Sequence, residues 1–239
     1  MPIRPLPLVT AIATALAPMA HASCARDAML VMDGSASMAE VGFTPSAPTR
    51  IMDAREALRQ AMPQIAPVRR VGLISYGPGG VDSCSGINVN FAPVADASGP
   101  VIGAVEALDP GGLTPIAASV EAAAQVLGGD GIVVLVTDGN ETCGGRPCAL
   151  GKDLATVAPD LTVHVIGFRV VYDPFAWDSP EAGVFSGGDS VARCLADATG
   201  GMYVSTETVD ELAEALQETL GCALIGLRSK PEQKRKHPT

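Results

Sequence analysis

Continuous apolar runs of strand length are the feature that most restricts what this chain can fold into. The clearest is Ile132–Val136, which has no polar position that could face water. A strand that is apolar on both sides is typical of a parallel sheet covered by helices on both faces. Six candidate strands follow one another along the chain: Ala28–Met32, Val71–Tyr76, Ile87–Phe91, Ile132–Val136, Leu161–Gly167 and Met202–Val204.

Helical patterns with well-marked ends separate most of these strands. Thr49 is a suitable cap for a helix that runs to about Ile65, and Pro63 is expected to disturb its last turn. Thr208 and Glu211 form a capping-box pattern ahead of apolar residues at helical spacing. The alternation predicts one α/β domain, a doubly wound, mostly parallel six-stranded sheet with helices on both faces.

One connection departs from the alternation. Val71–Tyr76 and Ile87–Phe91 are joined by Gly77–Gly86 alone, which leaves no room for a crossover helix. This pair is therefore expected to be antiparallel, with its second strand at a sheet edge, and we expect the strand order 3-2-1-4-5-6. The stretch 169–189 is rich in Gly, Pro, Asp and Ser, contains Trp177, and predicts a long loop.

The two ends of the chain differ from its centre. Residues 1–22 combine one charge, an apolar stretch and a small-x-small sequence, which predicts a secretory signal peptide. Residues 228–239 are basic and are expected to form a disordered tail. The domain between them, 23–227, is strongly acidic in a chain of net charge −10, so nucleic-acid binding is not expected. No other apolar run reaches the roughly 18–20 residues that a transmembrane helix needs.

The cysteines indicate disulfides. All 6 follow the predicted cleavage point, and an even number on an exported chain is typical of a disulfide framework. Lipid attachment at Cys24 is not predicted, because His21 stands where a lipoprotein signal has leucine. Topology favours tying the two ends of the domain together and closing a small ring beside the fourth strand. The expected set is Cys24–Cys222, Cys143–Cys148 and Cys84–Cys194; the alternative for the last four is Cys84–Cys143 with Cys148–Cys194.

Oxygen-bearing side chains follow two of the predicted strands and precede one predicted helix. Asp33, Ser35 and Ser37 come directly after the first strand, Asp138 follows the fourth, and Thr114 stands just before a helix. Ligands of doubly wound sheets lie at the carboxyl edge where the strand order reverses, so we expect these side chains to converge there. Oxygen ligands without nitrogen or sulfur suit a hard cation, Mg²⁺ foremost, with Mn²⁺ or Ca²⁺ as alternatives.

The pattern Asp33-x-Ser35-x-Ser37, then Thr114, then Asp138 resembles the metal-ion-dependent adhesion site of von Willebrand factor type A domains. The resemblance covers nearly the whole chain after the predicted signal peptide, and the surrounding sequence is similar to that of exported bacterial members. It implies that Ser35, Ser37 and Thr114 bind the metal directly, Thr114 in the ligand-bound form. It also implies that Asp33 and Asp138 act mostly through water and that a partner's carboxylate completes the coordination shell.

Each of these residues also has a purely structural interpretation. Asp33 and Ser35 could serve only in a turn, and Thr114 could cap the helix that follows it. Asp138 could likewise open a turn. Glu141 lies close to Asp138 in the sequence, so it is either a group that supports the metal ligands from behind or a solvated loop charge.

Histidine usage argues against catalysis. Between the predicted signal peptide and the tail the chain holds only His164, inside the apolar fifth strand, which predicts a hydrogen-bonded core residue. The sequence has no Gly-x-Ser-x-Gly, no His-Glu-x-x-His and no glycine-rich phosphate loop with a lysine. A Ser-His-Asp hydrolase would therefore lack its base.

Together these features predict an exported, non-enzymatic, divalent-metal-dependent protein-binding module. Its bound cation would capture an acidic side chain of a partner protein, because a local positive charge is needed to attract a carboxylate to an acidic surface. One alternative is a metal-dependent hydrolase that acts at the same acidic site. Another is a scaffold whose metal site no longer functions.

Overall fold

In the computed structural model, the described residues are 24–41, 47–170, 181 and 192–222. They contain a 6-stranded sheet in the order β3-β2-β1-β4-β5-β6, in which only the β2–β3 pair is antiparallel. The predicted topology and its antiparallel edge strand are thereby confirmed. The strands are β1 (Ala28–Asp33), β2 (Val71–Tyr76), β3 (Ile87–Val94), β4 (Gly131–Thr137), β5 (Leu161–Phe168) and β6 (Tyr203–Thr206).

Helices occupy the connections other than the one between β2 and β3, with a short 3-10 helix at Ala36–Ala39 after β1. At the start of the first α-helix the Thr49 hydroxyl accepts a hydrogen bond from the Met52 amide, and the helix runs to Ile65 with Pro63 in its last turn. The predicted capping box is present at Thr208. The α-helices are α1 (Arg50–Ile65), α2 (Ser98–Glu106), α3 (Ile116–Val126), α4 (Pro147–Val157), α5 (Arg193–Thr199) and α6 (Val209–Leu220).

Two apolar layers enclose the sheet. Successive side chains of a strand point to opposite faces, so Leu30 of β1 packs in the layer with α1, α2 and α6, whereas Val31 packs in the layer with α3, α4 and α5. Every residue of β1 and of β4 is buried. This burial explains why Ile132–Val136 carries no polar side chain.

His164 of β5 is hydrogen-bonded, as predicted, but it is half-buried rather than part of the core. Its Nδ1 accepts a hydrogen bond from the Met202 amide at 3.0 Å. Burial lowers the pKa of His164 to about 4, so the ring is neutral at pH 7.

The disulfides correct part of the expected pairing. The structure joins Cys24 to Cys222, but it places neither a Cys143–Cys148 ring nor a Cys84–Cys194 bond. It forms the alternative set, Cys84–Cys143 and Cys148–Cys194, with Cα–Cα distances of 5.6 and 5.1 Å. The physical reason is that Cys148 lies within the first turn of α4, where it faces α5, while Cys143 lies in the loop before α4 and meets the β2–β3 connection.

The Cys24–Cys222 bond is reinforced by a buried arginine. The Arg69 guanidinium donates to the carbonyls of Arg26, Leu220 and Gly221, which lie in the two segments that this disulfide joins. Both ends of the described domain are thus held to the connection between α1 and β2.

Several predictions fall outside the described residues: the signal peptide at 1–22, the basic tail at 228–239 and most of the expected loop 169–189. Within the described ranges, no helix has the length and apolar character needed to cross a bilayer.

Candidate metal centre

Asp33 is the last residue of β1, and both of its carboxylate oxygens are already oriented. Oδ1 accepts a hydrogen bond from the Ser35 amide at 2.8 Å, and Oδ2 accepts one from the Thr137 hydroxyl at 2.7 Å. Asp33 is fully buried and Ser35 nearly so. The strand thus delivers a fixed carboxylate to the carboxyl edge of the sheet, at the point between β1 and β4 where the chain order reverses.

A second line of hydrogen bonds joins the loop after β1 to the loop after β4. The hydroxyl oxygens of Ser35 and Ser37 are 3.0 Å apart, and the Ser37 hydroxyl donates to Asp138 Oδ1 at 2.8 Å. Because the proton of Ser37 points toward the carboxylate, its oxygen lone pairs are left to accept or to coordinate.

The Thr114 loop is tied to both of these loops through its backbone. The Ala36 amide donates to the Gly112 carbonyl at 3.2 Å, which joins it to the β1 loop. Thr114 and Thr142 exchange two hydrogen bonds, one from the Thr114 amide to the Thr142 hydroxyl at 2.9 Å and one from the Thr142 amide to the Thr114 carbonyl at 3.1 Å. All three predicted ligand segments therefore meet at one edge of the sheet.

The Thr114 side chain does not cap α3. The residue in the cap position is Pro115, and no side-chain cap bond is formed there. Thr114 itself is 5% exposed. The structural interpretation of this threonine as a helix cap is therefore wrong.

Two glycines allow the loops to approach this closely. Gly112 has φ +71°, and a Cβ on it would lie 2.0 Å from the Gly77 carbonyl oxygen. Gly77 has φ +112°, and a Cβ there would lie 2.5 Å from the backbone of Gly34 and Ser35. A larger residue at Gly112 would be strained and would push the Thr114 loop away from the β2–β3 connection, and one at Gly77 would push that connection away from the β1 loop.

Asp138 is the electrostatically stressed member of the cluster. Its side chain is wholly buried, and within the described part of the chain its Oδ2 accepts no hydrogen bond. Burial, followed by the charge of Asp33, raises the pKa of Asp138 to about 7. An unbonded buried carboxylate oxygen beside a second carboxylate is an environment that a bound cation would stabilise, so the donor set fits a hard divalent metal.

Tyr76 supports the floor of the site, and the sequence patterns did not single it out. Its fully buried hydroxyl donates to the Thr137 hydroxyl at 3.2 Å, and Thr137 in turn donates to Asp33. Burial raises the pKa of Tyr76 well above its ordinary value, so the phenol keeps the proton that it donates. These bonds fix the direction of the Asp33 carboxylate.

Arg50 is the other residue that sequence reasoning missed. It is the first residue of α1, and its Nη1 donates to the Ser37 carbonyl at 2.9 Å and to Glu40 at 2.8 Å, while lying 3.3 Å from Asp138 Oδ2. The signal was its position, since the positive end of the helix dipole disfavours a cation in the first turn. An arginine at that place indicates a specific acidic partner.

Glu141 is buried rather than solvated. Its carboxylate accepts hydrogen bonds from the Ala117 amide at 2.9 Å, in the first turn of α3, and from the Cys143 amide at 2.8 Å. Of the two interpretations of Glu141, the solvated loop charge is therefore wrong. Glu141 braces the loop after β4 against α3.

Residues 28–141 match the family model described as von Willebrand factor type A domain. Two relatives in Bacillus subtilis (strain 168), both called uncharacterized proteins, align with the chain. YwmD is 33% identical over 116 residues, which is 46% of this chain and 46% of YwmD. YwmC is 34% identical over 95 residues, which is 38% of this chain and 41% of YwmC. The alignments thus span less than half of either relative.

Solved structures with the same fold include three that are informative. A von Willebrand factor type A protein from Catenulispora acidiphila has a TM-score of 0.56 at 17% identity and matches 82% of this chain and 42% of its own. The pilus adhesin SpaC from Lactobacillus rhamnosus GG has a TM-score of 0.61 at 15% identity, over 82% and 30% of the two chains. Proximal thread matrix protein 1 from the mussel byssus, with a zinc-occupied MIDAS motif, has a TM-score of 0.53 at 15% identity, over 84% and 46%.

These likenesses define the class of fold. The sheet order, the single antiparallel strand and the helices around the sheet are those of the von Willebrand factor type A fold. The family match and the structural neighbours together support a protein of this type.

Proposed function

We propose that this protein is an exported, divalent-metal-dependent protein-binding module whose cation captures a carboxylate of its partner. The observation that carries the proposal is the convergence of Asp33, Ser35, Ser37 and Asp138 in one hydrogen-bonded cluster, with the Thr114 loop tied to it. Three separate chain segments supply only oxygen donors, and that chemistry favours a hard cation.

The spacing of the two serine oxygens favours Mg²⁺. Neighbouring ligands of an octahedral ion are separated by 1.4 bond lengths, which gives about 2.9 Å for Mg²⁺ and roughly 3.3–3.7 Å for Ca²⁺. Ser35 Oγ and Ser37 Oγ are 3.0 Å apart. The two hydroxyls could therefore take adjacent positions around Mg²⁺ with little change in separation, once the hydrogen bond between them is replaced by bonds to the ion.

The charge of the site explains why a carboxylate would be the captured group. Ser35, Ser37 and Thr114 are neutral donors, so Asp33 and Asp138 are the carboxylates among the proposed ligands, and they balance a divalent ion without overcompensating it. A cation held by few charges stays electrophilic toward an additional anionic ligand. On a chain with net charge −10, an acidic partner would otherwise be repelled.

Metal binding is tested by calorimetric titration of MgCl₂ into protein that has been stripped of metal with a chelator and then separated from the chelator. We expect binding heat for the wild-type protein, its loss in Asp33→Asn and Ser37→Ala, and its retention in the control Asp153→Asn, which removes an exposed carboxylate of α4. A wild-type protein that shows no heat with Mg²⁺, Mn²⁺ or Ca²⁺ would contradict the proposed metal site.

Capture of a carboxylate can be tested without knowing the partner. Acetate is a minimal probe, and paramagnetic Mn²⁺ bound at the site should accelerate the relaxation of its methyl protons when acetate enters the coordination shell. The enhancement should disappear with excess Mg²⁺ and weaken in Thr114→Ala. Metal binding without any acetate effect would support the ion site but contradict the capture of a carboxylate by the bound cation.

The same site allows a direct test of the hydrolase alternative. Mg²⁺-loaded protein should leave generic phosphoesters and esters unchanged. Turnover that requires the metal and is lost in Asp138→Asn would instead establish a hydrolase.

Export is part of the proposal. The three disulfides of the described residues are typical of an oxidising compartment outside the cytoplasm. Expression with residues 1–22 in the native host should yield an exported chain that begins at Ser23, which mass spectrometry of the culture and cell-envelope fractions can identify. An unprocessed chain retained in the cytoplasm would contradict this part of the proposal.

A further inference from the structure

We propose that Arg50 is a built-in counter-charge that takes the place of the metal ion when the site is empty and thereby weakens its affinity for that ion. The inference rests on the proposed function, since it assigns a role in setting the affinity of the same metal site. It concerns a residue outside the predicted ligand set.

The position of Arg50 is unusual for a structural arginine. Its side chain is only 11% exposed, although it starts a helix whose first turn disfavours a positive charge. A single nitrogen, Nη1, contacts the Ser37 carbonyl at 2.9 Å, Glu40 Oε2 at 2.8 Å and Asp138 Oδ2 at 3.3 Å. The guanidinium is therefore held at the border of the ligand cluster.

The contact with Asp138 is one of charge rather than of hydrogen bonding. Oδ2 accepts no hydrogen bond from the described residues, Arg50 included, yet the guanidinium nitrogen lies within ion-pair distance. Asp138 is wholly buried and lies near the buried Asp33. In the empty site, the positive charge of Arg50 stabilises a carboxylate pair that would otherwise repel each other.

Glu40 does not cancel this effect. Its side chain is 64% exposed, whereas that of Asp138 is 0% exposed. Solvent screens the Arg50–Glu40 pair, while the interaction of Arg50 with Asp138 takes place where water is excluded. Arg50 thus pairs with the exposed Glu40 and with the buried Asp138, and the negative charge of Asp138 depends more strongly on Arg50.

A metal ion would compete with Arg50 for the same carboxylate. The cation and the guanidinium are both positive, so each makes the presence of the other less favourable. Thermodynamic linkage then requires that a residue which stabilises the empty form more than the filled form lowers the affinity for the metal. Removal of the Arg50 charge should therefore lower the stability of the metal-free protein and raise its affinity for the metal.

A purely structural role predicts the opposite result. If Arg50 served only to hold the Ser37 backbone in place, its removal would loosen the ligand loop and lower the metal affinity. The sign of the change in affinity therefore distinguishes the two roles.

The test compares Arg50→Gln, Arg50→Lys and the wild-type protein by MgCl₂ calorimetry and by urea unfolding in EDTA and in saturating Mg²⁺. Glutamine keeps a donor for the Ser37 carbonyl but removes the charge, and lysine keeps the charge. Arg59→Gln is the matched control, because Arg59 lies on the same helix but pairs with Glu56 and Glu106 at the surface.

We expect Arg50→Gln to bind Mg²⁺ at least about fivefold more tightly than the wild-type protein does. In EDTA the variant should unfold at a lower urea concentration than the wild-type protein, and in saturating Mg²⁺ the difference between their urea midpoints should be smaller. Arg50→Lys and Arg59→Gln should keep the wild-type affinity. Unchanged or weaker binding by Arg50→Gln would overturn the proposal.

Two further outcomes are informative. If Arg50→Gln is unfolded in EDTA, folding on addition of Mg²⁺ supports the counter-charge, whereas failure to fold at saturating Mg²⁺ overturns it. A wild-type protein without Mg²⁺ heat would contradict the proposed function itself, so failure of that proposal and failure of the role of Arg50 are separate results.

Discussion

The Cys84–Cys143 disulfide should affect metal binding as well as stability. Leu113 donates its amide to the carbonyl of Ser83, the neighbour of Cys84, at 2.8 Å, and Thr114 exchanges two hydrogen bonds with Thr142, the neighbour of Cys143. The disulfide thus joins the two anchors of the Thr114 loop. We predict that replacing both cysteines by serine lowers the affinity for Mg²⁺.

The Cys148–Cys194 disulfide offers a matched control. Its residues are separated by 46 positions and those of Cys84–Cys143 by 59, so the chain-entropy treatment gives a similar stabilisation of about 4 kcal/mol for each. It connects α4 with α5, and neither of its cysteines lies in a loop that carries a proposed ligand. The two double-serine variants should therefore lose similar stability and differ in metal affinity.

Urea unfolding and MgCl₂ calorimetry on both double variants measure these two quantities. We expect Cys84→Ser/Cys143→Ser to bind Mg²⁺ about fivefold more weakly, which corresponds to about 1 kcal/mol of lost preorganisation. Cys148→Ser/Cys194→Ser should retain the wild-type affinity. Equal affinities in the two variants would refute the argument that this disulfide positions the Thr114 loop.

Three further predictions concern separate parts of the structure. Burial lowers the pKa of His164 to about 4, whereas the pKa of an unfolded histidine is about 6.5. The stability contributed by the neutral ring is therefore complete above about pH 6.5 and falls as the pH drops toward 4, by up to about 3 kcal/mol. Urea unfolding at pH 7 and 4.5 should show a smaller loss in His164→Asn, and an equal loss would disprove this account. Gly112→Ala should reduce both the stability and the Mg²⁺ affinity, as measured by urea unfolding and calorimetry. The control Gly103→Ala, in open space on α2, should leave the affinity unchanged and raise the stability by about 0.5–1 kcal/mol. Wild-type stability and affinity in Gly112→Ala would show that this loop tolerates a side chain. Thr208→Ala should cost about 1 kcal/mol in urea unfolding through loss of the capping box and leave Mg²⁺ affinity as it was, so a change in affinity would show that α6 acts on the site.

The sheet could be predicted because its signals are local. An apolar run such as Ile132–Val136 specifies burial on both sides, and the short Gly77–Gly86 connection excludes a parallel crossover. Strand ends were less predictable: β3 extends to Val94 and β6 to Thr206. Pairing with a neighbouring strand, rather than the sequence of the segment itself, decides where a strand ends.

The proposed ligands could be selected from the sequence because topology sends the ends of β1 and β4 to the same edge of the sheet. Tyr76 could not, and the position of Arg50 at the start of a helix signals only that it has an acidic partner, since each acts through contacts with residues far away in the chain. Glu141 shows the same limit. Its burial against α3 depends on how the helix packs, which the spacing from Asp138 does not reveal.

The alternation of strands and helices, the antiparallel edge and the set of oxygen donors follow from the sequence alone, because periodicity, turn length and side-chain chemistry are local properties. The cysteine pairing, the Asp138 oxygen that accepts no hydrogen bond from the described residues and the guanidinium beside it emerge only when the chain is folded. These depend on distances of a few ångströms between segments far apart in the chain. Such distances result from the packing of both layers against the sheet, so no single segment encodes them.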